Sequence, residues 1–90
     1  MVKKEYVIRC ESGLHARPAC ELADLASTFE SQIIITNLDD EDLIEADAKS
    51  ILNILTLGAD KGAHVLFQAE GPDEEEAVEK IILLLDSIME

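Results

Sequence analysis

Across residues 2–9 the side chains alternate, with Tyr6 and Ile8 on one face and Val7 on the other, the two-residue period of a strand. Gly13 breaks that run. Apolar residues return at helical spacing as Ala19, Leu22, Ala23, Ala26 and Phe29, which predicts an amphipathic helix over 16–28. Pro18 falls in its first turn, where a missing N–H costs nothing. Ile33-Ile34-Ile35-Thr36 is β-branched throughout and predicts a strand over 32–37. Asp39-Asp40-Glu41-Asp42 then reads as an acidic turn, with residues 43–47 returning as a short strand. Ser50 precedes Ile51-Leu52-Asn53-Ile54-Leu55, the pattern of a capped short helix that stops by Gly58. Val65, Phe67 and Ala69 alternate against His64, Leu66 and Gln68, another strand.

Gly71-Pro72 ends that strand, and Asp73-Glu74-Glu75-Glu76 places four carboxylates at a helix N-terminus, where the dipole favours them. The helix is predicted to run to about residue 87 with Ala77, Val78, Ile81, Leu84, Leu85 and Ile88 toward the core. The order β-α-β-β-α-β-α, without repeat or linker, predicts one α+β domain over 1–90 with helices on one face of an antiparallel sheet.

With 90 residues there is room for one core, and folding at this size buries only ~60–65% of the unfolded surface. A deep enclosed active site is therefore not expected. Seven cations against twenty carboxylates give a net charge of −13. Such a chain lacks the Lys and Arg that neutralise phosphates, so nucleic acid is not expected as a partner. Docking on an anionic membrane leaflet is not expected, on the same ground. No apolar run approaches the ~20 residues of a membrane span, and Lys3, Lys4 and Glu5 leave no room for a signal-peptide core, so the expected compartment is the cytoplasm. Cys10 and Cys20 fit neither a redox pair nor a zinc set and are expected as reduced, partly buried thiols. No metal or other cofactor is expected.

The charge is uneven. Residues 1–30 net −1, residues 31–50 net −5 and residues 51–90 net −7, so an anion is best received in the N-terminal third. His15 there precedes a predicted helix whose first-turn N–H groups lack intrahelical partners. Arg17 adds a permanently charged fork suited to phosphate oxygens. A neutral imidazole is a competent nucleophile, so His15 can take a phosphoryl group, with Ala16 and Arg17 forming the phosphate cradle. A lone histidine is more often an ordinary surface or capping residue, and His64, at the start of its strand, is read that way. The Asp39–Asp42 run lacks the alternation and glycine of a calcium loop and is read as a solvated turn.

Gly13-Leu14-His15-Ala16-Arg17-Pro18-Ala19 closely resembles the phosphorylation motif of the histidine-containing phosphocarrier (HPr) family of the phosphoenolpyruvate-dependent sugar phosphotransferase system. Ala48-Lys49-Ser50-Ile51-Leu52 resembles that family's regulatory serine segment, and Thr56-Leu57-Gly58, Lys61-Gly62 and Ala69-Glu70-Gly71 follow in the same order. The resemblance implies an open-faced β-sandwich, a four-stranded antiparallel sheet covered on one face by three helices. It implies that enzyme I passes a phosphoryl group to Nδ1 of His15, that Arg17 stabilises the phosphate, and that an enzyme IIA domain receives it. The chain would be a monomeric stoichiometric carrier rather than an enzyme, docking its partners through Lys49 and Leu52. An HPr kinase/phosphorylase acting on Ser50 would weaken docking to enzyme I. Ser50 is independently explained as the N-cap of its helix.

This chain departs from the sugar-system pattern. The segment between Ile35 and Lys49 is longer and acidic, and the flanks of the site carry Glu21, Asp24 and Asn53 where several lysines are usual. Residues 71–77 and the acidic hairpin resemble the nitrogen-related regulatory branch, whereas Lys49 and Thr56-Leu57-Gly58 resemble the sugar branch. A sugar-uptake carrier is the leading reading and a regulatory carrier the alternative. A non-catalytic ferredoxin-like ligand-binding or interaction domain shares the element order but has no use for His15 beside Arg17.

Overall fold

Seven elements form where the side-chain periods place them. In the computed structural model, which describes residues 1–9, 13 and 16–88, they are β1 (Val2–Val7), α1 (Ala16–Ala26), β2 (Gln32–Asn37), β3 (Glu45–Asp47), α2 (Ile51–Leu55), β4 (His64–Glu70) and α3 (Glu74–Ile88). The strands make one sheet in the order β1-β4-β2-β3, every neighbouring pair antiparallel. The last strand in sequence thus lies inside the sheet, with Phe67 opposite Lys4 on one side and Ile35 on the other.

Ile33, Ile35, Val65, Phe67 and Ala69 point to the helix side and are buried, each alternating with a more exposed neighbour. Against them pack Leu22 and Ala26 of α1, Ile54 of α2, and Ala77, Ile81 and Leu85 of α3. Each large aliphatic or aromatic side chain so buried contributes roughly 1.5–3 kcal/mol. The result is the open-faced sandwich, with helices on one face of a four-stranded antiparallel sheet.

The element ends differ slightly from expectation. β1 stops at Val7, although the chain stays tied beyond it by the bonds Ile8 N–H to Ala63 C=O (2.9 Å) and Gly62 N–H to Ile8 C=O (2.7 Å). α1 ends at Ala26 rather than 28, because the Thr28 and Phe29 N–H groups turn to the i−3 carbonyls of Leu25 and Ala26 and tighten the last turn, while the Ser27 and Thr28 hydroxyls donate back to Ala23 and Leu25. β3 begins only at Glu45, since Leu43 adopts a left-handed φ of 49° that no ladder accepts. In α3 Leu84 is half-buried at the edge of the apolar stripe, and Ile82 is among the side chains that pack against the core. Cys20 is exposed on α1 rather than partly buried, its Sγ 4.0 Å from Asp24 Oδ2. Cys10 lies outside the described residues.

Asp73 does more than feed the dipole of α3. Its carboxylate accepts from the Glu30 and Ser31 N–H groups at 2.9 Å each and from the Ser31 hydroxyl, fastening the start of α3 to the turn after α1. At the other end of α3, Arg9 reaches Asp86 (2.9 Å) and the Tyr6 hydroxyl (3.0 Å), which ties the helix to β1.

Candidate functional site

α1 begins at Ala16, so its positive end lies at the motif Gly13–Ala19. Its first turn contains no acidic residue, and Pro18 has no N–H to offer, leaving Ala16 and Arg17 as its leading backbone donors. Ala16 and Arg17 are exposed, whereas Pro18 and Ala19 are buried and anchor the helix start to the core. The guanidinium-bearing residue is therefore the second of the helix, at the solvent side of its positive end. His15, the residue immediately before, lies outside the described residues, as does Leu14.

Gly13, three residues before α1, rests on a shelf. Gly13 is buried at φ 69°, against the Ala59 carbonyl and the Asp60 backbone. A Cβ would collide with both, so only glycine fits at position 13. The shelf is itself held. The Asn37 amide donates to the Leu57 carbonyl at 2.9 Å, and the bonds from Ile8 to Ala63 and Gly62 hold its far end. No local signal in the sequence pairs residue 13 with residues 59–60.

Ser50 is the N-cap of α2. Its backbone is extended (φ −116°, ψ 114°) and its hydroxyl accepts from the Asn53 N–H at 3.4 Å. Lys49 is half-buried, with Nζ donating to the Phe29 carbonyl at 2.8 Å and its own N–H donating to Asp47. The face of α2 left to solvent is apolar: Leu52 is 76% exposed, and Ile51 and Leu55 are partly so. α2 packs beside α1, so Leu52 and Arg17 belong to the same pair of helices.

His64 has a partner that its sequence neighbours do not disclose. Asp39, in the turn after β2, accepts from the His64 N–H at 2.9 Å and lies 3.2 Å from its Nδ1. The backbone N–H first, and the ring second, hold the Asp39 carboxyl below the usual carboxylate range. Asp40 accepts from the Asp42 N–H at 2.8 Å, so both side chains serve the turn, as the sequence predicts for a hairpin tip. Among the described residues no group of three or more His, Cys, Asp or Glu is placed to hold a metal ion, and no helix is long and apolar enough to cross a membrane.

A four-stranded open sandwich whose first helix opens on the sequence Gly13–Ala19, with an exposed arginine as its second residue, is the frame of a small anion-handling domain. The family model for the phosphotransferase-system HPr component phosphorylation site matches residues 2–87. The chain is 39% identical over 88 residues to phosphocarrier protein HPr of Vibrio cholerae, covering 98% of this chain and 99% of that one. It is 38% identical over 84 residues to phosphocarrier protein NPr of Proteus mirabilis, covering 93% and 90%. The HPr structure from Thermoanaerobacter tengcongensis superposes with a TM-score of 0.87 at 39% identity, covering 99% of this chain and 96% of that one. The chain belongs to the HPr family of phosphocarriers of the phosphotransferase system, whose members carry phosphoryl groups rather than turning over a substrate alone.

Proposed function

We propose that this protein accepts a phosphoryl group on Nδ1 of His15 from phosphorylated enzyme I and delivers it to an enzyme IIA domain in phosphoenolpyruvate-dependent sugar uptake. The observation that carries the reading is the motif Gly13–Ala19 opening α1, with Arg17 as the second helical residue. The lone pair of Nδ1 forms the new N–P bond as the bond between phosphorus and the donor breaks, and the donor keeps that electron pair. The reverse sense of the same exchange passes the group to the acceptor. Nothing in this step needs a metal on the carrier. Arg17 and the N–H groups of Ala16 and Arg17 face the phosphoryl oxygens, where charge-assisted hydrogen bonds are strongest. Leu52 serves as the apolar docking contact, with Lys49 at its edge, and the carrier works in the cytoplasm. Ser50 is the candidate target of an HPr kinase/phosphorylase, and a phosphate there suits the N-terminus of α2.

A nitrogen-related regulatory output of the same chemistry is the second reading. The acidic hairpin over 39–42 and the segment 71–77 favour it, as does similarity to NPr at a level matching that to HPr. Neighbouring genes, for a sugar permease or for nitrogen control, separate the two.

The test is incubation with phosphoenolpyruvate and the enzyme I encoded in the same genome, followed by mass measurement. Wild-type protein should gain one acid-labile phosphoryl group and His15→Ala none; a phosphorylated His15→Ala protein sinks the assignment. Arg17→Ala should still react, but about ten- to a hundredfold more slowly, since one charge-assisted contact contributes ~1.5–3 kcal/mol.

A further inference from the structure

We infer that the donor and acceptor of this carrier dock with a basic rim around an apolar centre, the reverse of an acidic face meeting a lysine-rich carrier. The inference rests on the carrier reading above and names the chemistry of its partners.

The apolar centre on this side is the exposed face of α2, Ile51, Leu52 and Leu55. Along the exposed side of α1, Arg17 is followed by Glu21 and Asp24, so one cation at the helix start gives way to two carboxylates within two turns. Lys49 places its charge at the turn after α1, away from the helix start. Its ammonium is drawn back onto the Phe29 carbonyl, and the side chain is half-buried. On the other flank the shelf under Gly13 borders an open groove of about 380 Å³. Asp39, Asp40 and Asp60 line it, with Lys61 beside them.

This arrangement has a cost that only a partner can offset. The group to be received is an anion, yet Glu21 and Asp24 follow Arg17 on the exposed side of α1 and the Asp60 backbone lies against Gly13, and like charges repel over a Debye length of ~8 Å. A donor with an acidic face would add its own repulsion to theirs. A donor with Lys or Arg around an apolar seat would neutralise the rim, steer the encounter and leave Arg17 to the phosphoryl group. The chain's net charge of −13 extends the same field to longer range.

The experiment measures the second-order rate constant for phosphorylation of the full-length protein by the enzyme I of the same genome. Raising salt from about 0.02 to about 0.5 M should lower the rate at least ~fivefold, since steering is screened. The double variant Glu21→Lys/Asp24→Lys should be slower by about tenfold at low salt and should converge on wild type at high salt. Glu75→Lys makes half that charge change at the exposed start of α3, beside the turn that follows the far end of α1, and should slow the reaction by less than about twofold. Circular dichroism melts check that each variant is folded. A wild-type rate that is flat or rises with salt, or a double variant that reacts as fast as wild type or faster, overturns the inference while leaving the carrier reading intact. A wild-type protein that takes no phosphoryl group from this donor overturns the carrier reading itself, and the inference with it.

Discussion

Gly13→Ala tests whether the loop before the site is held by close backbone contact. Two separate costs are expected. The first is conformational: φ is 69°, a region in which a residue with a Cβ is disfavoured by roughly 1–2 kcal/mol. The second is steric. The new methyl would meet the Ala59 carbonyl and the Asp60 backbone, neither of which can swing aside as a side-chain tip does. Overpacking of that kind costs about 1–3 kcal/mol, for a total of roughly 2–5 kcal/mol. Gly58→Ala separates the two, because Gly58 has φ 64° but nothing within 4 Å of the position its Cβ would take. It should lose only the ~1–2 kcal/mol of the conformational part. Urea denaturation of the three proteins gives the comparison, and the melting temperature of Gly13→Ala should fall by on the order of 10–25 °C. At a temperature where the variant remains folded, phosphorylation of His15 should also slow, because the displaced loop leads directly into it; a misplacement of about 1 Å can cost ~100-fold. Equal destabilisation by Gly13→Ala and Gly58→Ala would refute the close approach, and unaltered transfer in a destabilised Gly13→Ala would refute its link to the site.

Asp73 is held below the ordinary carboxyl range chiefly by the Ser31 hydroxyl and next by the Glu30 N–H, so its folded value lies under the unfolded ~3.9. Its contribution is therefore complete above that value and lost as pH falls through the folded one. Asp73→Asn should lower the urea midpoint at pH 7 and flatten the decline of stability below about pH 4, and an unchanged slope would show that the junction does not depend on the charge. Ser50→Ala should cost about 1 kcal/mol through loss of the α2 cap, whereas Ser50→Asp should stay within ~0.5 kcal/mol of wild type. Thermal melts that rank the two variants the other way round would remove Ser50 from the cap.

Much of this protein is written locally. The β-branched run Ile33–Ile35 and the alternation through Val65, Phe67 and Ala69 determine strands because only a two-residue period buries one face of each. The 3.6-residue stripe of Ala19, Leu22, Ala23 and Ala26 determines α1 and its buried side in the same way. Ser50 before Ile51 states a cap, because one hydroxyl meets one orphan N–H three residues on. The motif from Gly13 to Ala19 names the candidate chemistry for similar reasons of adjacency: a histidine, a helix start and an arginine within three residues. What the tertiary structure decided was pairing across distance. Alternation cannot say that β4 inserts between β1 and β2, since any antiparallel neighbour would satisfy its two faces. Nor can it say that Asp39 meets His64, that Asp73 fastens Ser31, or that Lys49 turns its charge onto the carbonyl of Phe29. Each of those is a polar contact between residues 20 or more apart, made only when burial of the apolar faces has fixed the backbone that carries them. Hydrophobic pattern is periodic and therefore legible along the chain; the placement of charge around the site depends on where the packed elements leave each side chain.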